Sequence, residues 1–184
     1  EVAAIEAIRA TLAYNQIPDR ISLTCALKNE ECVVLWLTAR LATQLVPHLC
    51  QAVTPVPDTH PTNGDPAVTN NHAPTSAEAP DRDKTPVAGY ADRAPDAPVV
   101  AGADSAAWVV TAIDLTNGPM LVQLGFRDDQ GHAPVLLSLE HTQLAQWSEG
   151  LKHCYAQAGW SMDCWHMPAS ASPQSHATRR VALH

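Results

Sequence analysis

Two thiols and two imidazoles lie close together late in the chain, as His153-Cys154 and Cys164-Trp165-His166, with Met162 and Met167 beside them. That donor set suits structural zinc, and with the thioethers added it suits cuprous copper. The spacing argues the other way. Common zinc sites draw their ligands from tight pairs such as Cys-x2-Cys, whereas adjacent residues on a helix diverge by about 100° and do not readily reach one ion. Cys154 also continues an apolar helical stripe. The expectation is therefore a buried Cys154 beside a solvent-facing His153 and no bound cofactor, with zinc or copper at His153, Cys154, Cys164 and His166 as the alternative.

Nucleophilic catalysis needs a thiol or hydroxyl, a base within reach and a third group to orient the base. No G-x-S-x-G or Cys-Gly-x-Cys signature is present, nor a Walker-type loop or G-x-G-x-x-G fingerprint. His48, His132 and His141 stand beside loops and read as polar surface. Asp114-Leu115-Thr116-Asn117-Gly118 resembles the Asp-x-Ser-x-x-Gly segment of PilZ-type cyclic dinucleotide receptors over these few residues. It is one residue short, carries Thr for Ser and lacks the upstream Arg-x-x-x-Arg, so the activity is not carried over. The reading leans away from an enzyme.

Charge and composition exclude further classes. The net charge is −8 and the longest basic run is Arg179-Arg180, so the footprint of a phosphate-backbone binder is missing and no nucleic-acid partner is expected. The longest apolar runs, near residues 33–37 and 135–139, fall far short of the roughly 18 residues that span a bilayer. Five cysteines, an odd number spread thinly through 184 residues, read as thiols of a reducing compartment, and the expected location is cytoplasmic. A chain beginning at Glu1 is also compatible with a removed leader.

The elements that would position these side chains fall on either side of a compositional break. Residues 54–106 hold nine prolines and a single aromatic, Tyr90, with no Leu, Ile or Phe, and five of the eight net negative charges. Such a stretch cannot bury enough apolar surface to offset its ordering entropy, so a disordered acidic insert is expected there. Before it, residues 1–53 read as the first half of an α+β body. Ile5, Ile8 and Leu12 stand at helical spacing, predicting a short amphipathic helix closed by Pro18. Residues 20–27 and 32–37 read as a hairpin with Leu27 opposite Cys32 and Cys25 opposite Val34. That register puts Cys25 and Cys32 diagonally on the core face, too far apart for a disulfide. Thr38 then caps a helix to about residue 53, with Leu41, Leu45, Leu49 and Ala52 on one side and Pro47 expected to kink or break it.

After the insert, residues 107–166 read as the second half. Residues 108–115 and 120–127 flank Asn117-Gly118, a type I′ turn signal that sets Ile113 opposite Val122 and Leu115 opposite Met120. A third strand over 133–139 follows, with Pro134 favouring an edge. A helix over 141–158 carries an apolar stripe of Leu144, Trp147, Leu151, Cys154, Tyr155 and Ala158 and ends at Gly159. Residues 167–184 read as a flexible tail. The order α-β-β-α, then β-β-β-α, gives two strand-strand-helix units that neither half can stabilise alone, so they are expected to pack as one mostly antiparallel sheet with the helices on one face. Trp108, Trp160 and Trp165 are the candidate interaction surface, because Trp joins large apolar area to one hydrogen-bond donor. The functional expectation is a non-enzymatic protein-interaction or assembly module that binds a protein partner or itself. The alternative is a thiol- or metal-dependent protein centred on Cys154, Cys164 and His166.

Overall fold

Residues 3–53, 97–166 and 178–184 are described by the structure, a computed structural model. Among them the elements follow in the order β1 (Ile5–Asn15), β2 (Arg20–Leu27), β3 (Cys32–Leu37), α1 (Ala39–Val53), β4 (Ala106–Val109), β5 (Ala112–Asn117), β6 (Leu121–Arg127), β7 (Val135–Glu140), α2 (His141–Ala158) and β8 (Arg179–Leu183). A single 3-10 turn, Asp163–Trp165, stands between α2 and β8. The fold is α+β: one eight-stranded mixed sheet in the order β4-β3-β2-β1-β7-β6-β5-β8, and two helices. Neighbouring strands are antiparallel except β1 with β7 and β3 with β4, so the sheet is mostly antiparallel as expected.

Both helices begin and end where local chemistry dictates. Thr38 starts α1, its Oγ1 accepting the Leu41 N–H at 3.4 Å and its carbonyl the Ala42 N–H at 3.0 Å. Pro47 lies inside α1 without ending it. It removes the N–H that would serve the Thr43 carbonyl, but Leu45, Val46 and Leu49 on either side are fully buried and hold the helix against the core. In α2 the Glu140 N–H donates to Gln143 Oε1 at 2.9 Å, half of a capping box. Of the expected stripe, Leu144, Trp147, Leu151, Cys154 and Tyr155 are buried and Ala158 at its end is partly exposed.

The first element is a strand and not the expected helix. β1 is 11 residues long and lies between β2 and β7. Ile8, part of the helical spacing, is 59% exposed. The β1–β2 register shifts between Ala7 and Arg9, which marks a bulge at Ile8. Ile5 and Ala7 before it, and Ala10, Leu12 and Tyr14 after it, all pack on the core. One extra residue thus broke the alternation and gave the sequence a helix-like period.

Both hairpin registers also differ from the expected ones. In the first, Ala26 faces Cys32 and Cys25 faces Val33, a slip of one residue. The cause is a three-residue loop, Lys28-Asn29-Glu30, in which Glu30 adopts φ +66° and the Leu27 N–H donates to the Glu31 carbonyl at 2.8 Å. A one-residue slip exchanges the faces of a strand. Hence Val33, Leu35 and Leu37 point into the core, and Cys25 and Cys32 lie on opposite faces, Cys25 buried and Cys32 partly exposed. In the second hairpin Ile113 faces Phe126 and Leu115 faces Leu124. A turn centred on Asn117-Gly118 would need a donor at residue 119, and Pro119 has no N–H. The turn moves on by two residues, closing with Gly118 N–H to Leu121 carbonyl at 3.0 Å around Pro119 and Met120. An even slip keeps the faces, so Ile113, Leu115, Val122, Leu124 and Phe126 are core residues as expected. β7 is central rather than an edge, and Pro134 precedes it, its carbonyl accepting the Ile5 N–H at 2.8 Å.

The strand expected over 108–115 is divided into β4 and β5. Consecutive residues between them serve different strands: the Val110 N–H donates to the Trp36 carbonyl of β3 and the Thr111 N–H to the Arg127 carbonyl of β6, both at 2.9 Å. In a flat sheet β3 and β6, with three strands between them, would stand about 19 Å apart at roughly 4.8 Å per strand. The sheet therefore curls back on itself, and the two-residue link joins the edge strand β4 to β5, next to the opposite edge. The apolar face of all these strands and the buried sides of both helices form one core. The halves on either side of residues 56–97 form one compact unit.

Of the expected disordered insert, residues 54–96 lie outside the described residues. Residues 97–106 are placed: the Val99 N–H donates to Thr11 Oγ1 at 2.9 Å, and Ala106 begins β4. Of the expected flexible tail, 167–177 lie outside the described residues, and Arg179–Leu183 form β8 on the edge of β5.

Candidate functional site

Gly159 sets up the site around Trp160, one of the candidate surface tryptophans. It takes φ +67° at the end of α2, the left-handed conformation that glycine adopts without a Cβ penalty. The Gly159 N–H donates to the Ala156 carbonyl at 3.3 Å and the Trp160 N–H to the Tyr155 carbonyl at 3.2 Å. This paired pattern carries with it an apolar contact between the residue after the glycine and the helix's last turn. Here the contact is Trp160 against Tyr155, edge to face, with centroids 5.2 Å apart.

The 3-10 turn does the same for Trp165. Its N–H donates to the Met162 carbonyl at 3.1 Å, and its ring meets Tyr155 edge-on at 5.7 Å. Lys152 Nζ stands 5.9 Å from the Trp165 ring centroid. Tyr155 itself is fully buried and shares a 3.0 Å hydrogen bond with Thr43 of α1. Burial pushes its hydroxyl well above the usual tyrosine range, which the bond to Thr43 only partly opposes. On its other side Trp160 meets Tyr14 of β1 at 6.0 Å. Asp19, at φ +48° in the β1–β2 turn, accepts from both, the Tyr14 hydroxyl at 2.8 Å and Trp160 Nε1 at 3.2 Å. The hydrogen bond to Asp19 raises the Tyr14 hydroxyl pKa. The same turn carries Ile17, whose side chain is fully exposed.

Trp160 and Trp165 are thus brought together on Tyr155, both partly exposed. Trp108 has other neighbours. It was expected on the interaction surface, but pairing of β4 with β3 sets it beside Leu35, and it is 7% exposed. It stacks on His132, with planes 2° apart and centroids 5.5 Å apart. His132 Nδ1 is hydrogen bonded to Asp128, whose carboxylate also accepts the backbone N–H of Gly131 and of His132. Burial alone would raise the Asp128 pKa, and these hydrogen bonds, chiefly from His132, hold it below the ordinary value. His132 is exposed, as its place beside a loop implies, and its contact with Asp128 was legible as well. The four-residue spacing to Asp128 across a turn ending at Gly131 was the available signal.

The candidate metal ligands do not converge. Cys154 and Cys164 are buried in the core, whereas His153 and His166 are exposed. Among the described residues no group of three or more His, Cys, Asp or Glu side chains is placed to hold a metal ion. All five cysteines are free thiols. Burial pushes Cys25 up to about 12 and raises Cys50, Cys154 and Cys164. Lys152 opposes this at Cys50, but not fully. These groups are held as neutral thiols at neutral pH, the form that neither attacks nor ligates well. His141, another candidate base, gives its Nδ1 to the Ala52 carbonyl at 3.1 Å. His48 is lowered by burial and by Arg179.

No helix among the described residues is long and apolar enough to cross a membrane. Compared with family models, curated proteins and solved structures, the chain matches none of them.

Proposed function

We propose that the protein is a non-enzymatic interaction module that presents the aromatic surface around Tyr155 to a protein partner. The observation that carries this reading is the convergence of two partly buried tryptophans on one buried tyrosine, with fully exposed Ile17 in the turn whose Asp19 holds Trp160. Interfaces draw most of their binding energy from a few such aromatic anchors, and rigid anchors lose little entropy on binding. Gly159 and the 3-10 turn fix these rings before any partner arrives. Five free thiols fit a reducing, cytoplasmic setting.

Ile17→Asp tests the reading, because a fully exposed turn residue can be changed without loss of fold. Sedimentation equilibrium of the parent and the variant first establishes whether the partner is a second copy. If the parent is monomeric, quantitative affinity capture with both proteins follows. Self-association, or a captured protein, that is present with the parent and lost with Ile17→Asp supports the module. Identical behaviour of the two proteins in both experiments refutes it.

A further inference from the structure

On the solvent face of the sheet, opposite the helices, a groove of about 330 Å³ crosses β8, β5, β6 and β7. The strand registers show why it is there. Asp114 is flanked in register by Ala182 on β8 and Gly125 on β6, two positions with almost no side chain. A Cβ at Gly125 would come within 3.1 Å of Leu136 Cδ2 and 3.7 Å of Asp114 Cβ, so the absent side chain is what leaves the floor open. Alongside runs a polar row, Arg180-Thr116-Gln123-Ser138, one residue from each of the four strands.

Two guanidinium groups meet over this floor with one carboxylate between them. Arg127 holds Asp114 in a two-point contact, Nε at 2.7 Å and Nη2 at 3.3 Å. That pair neutralises itself. Arg180 reaches the same carboxylate only at 3.9 Å, and its side chain is 73% exposed. Its planar fork of donors is therefore left facing the groove, which carries one net positive charge in a chain of net charge −8. Thr116 and Gln123 add a hydroxyl and an amide beside it. Alternation along β8 makes the assignment specific, since Arg179 turns the other way and donates to Gln51 of α1 at 3.1 Å.

We propose that this groove binds the oxyanion of a small molecule, a phosphate ester or a carboxylate, with Arg180 as the principal donor, Arg127 held in place by Asp114, and Thr116 and Gln123 completing the contact. The volume admits a ligand at the small end of the usual pocket range, about 300 to 1,000 Å³. Fork-shaped guanidinium groups suit planar and tetrahedral oxyanions alike. The site lies on the sheet face away from the aromatic surface and does not depend on it.

The test is an amide NMR titration of the full chain with sodium phosphate and, separately, sodium acetate, at constant pH and ionic strength with chloride as the balancing ion. Saturable shifts centred on Thr116, Gln123, Gly125 and Arg127, with affinity falling about tenfold in Arg180→Gln and falling again in Thr116→Val, support the site. The stronger of the two anions identifies the ligand class. Melting temperatures of both variants confirm that the fold is kept. Shifts that grow linearly with both anions, or saturable shifts indifferent to Arg180→Gln, overturn the proposal.

Discussion

The loop between β6 and β7 holds Asp128 through neighbours three and four residues away, with a consequence for titration. Asp128 accepts three hydrogen bonds, and its pKa is lowered in the folded state. A carboxylate depressed on folding contributes stability that is present above its unfolded value, near 3.8, and lost as pH falls through the lower folded value. Asp128→Asn should therefore melt lower than the parent at neutral pH, and the difference should begin to shrink as pH falls below about 4 and close once pH passes the lowered folded value, where the parent carboxylate itself is protonated. Calorimetric melting of both proteins between pH 2 and pH 7 checks this. A difference that is the same at both ends would mean that the carboxylate charge has no part in holding His132 and Trp108.

Elements are decided by turns and caps, and two glycines make opposite cases. Gly159 sits at φ +67° with nothing within 4 Å of a built Cβ, so a side chain there meets strain but no clash. Gly118 has no such conformation, since positive φ among the described glycines occurs at Gly131 and Gly159. A Cβ at Gly118 meets only the Leu121 carbonyl oxygen, at 3.1 Å. Gly159→Ala should cost about 1 kcal/mol from the left-handed conformation alone, and should also loosen Trp160. Gly118→Ala should cost less, within about 0.5 kcal/mol, because the Pro119-Met120 turn places no demand on the sign of φ there. Urea unfolding of the two variants followed by Trp fluorescence compares them, and a reversed order would place the turn back on Asn117-Gly118.

At the scale of the molecule the described residues follow the order β-β-β-α-β twice, β1 to β4 around α1 and β5 to β8 around α2. Each unit is a three-stranded meander followed by a helix, but the fourth strand differs: β4 runs parallel beside β3, whereas β8 runs antiparallel beside β5. The two units share one sheet through the parallel pair β1 and β7, and α2 packs on β1 as well as on β7. The two units share one sheet and one hydrophobic core, so they should unfold together. Trp147, 8% exposed in the common core, tests this. Trp147→Ala should destabilise the protein by about 3 to 5 kcal/mol. Hydrogen exchange should accelerate over residues 21–37 of the first unit as well as over 113–139 of the second. Protection retained in the first segment alone would mean two independent domains.

What the sequence by itself determined were the features written within one turn of helix: the Thr38 cap, the apolar sides of α1 and α2, the stop at Gly159, and the apolar runs of β2, β3, β5 and β6. Each depends on residues no more than four apart, so local order states it. The tertiary structure decided the rest. β1 became a strand because β2 and β7 supply its partners and a bulge at Ile8 keeps its apolar residues on the core face, a pattern that reads as helical in one dimension. β4 and β5 became separate strands because Val110 and Thr111 find acceptors on different neighbours, and β8 formed on the open edge of β5. The tryptophans were visible as candidates, but Trp160 and Trp165 meet on Tyr155 while Trp108 turns to His132, and the polar groove assembles from four strands. A strand's hydrogen bonds belong to residues far along the chain, so its identity, register and outward face are fixed only when the sheet closes.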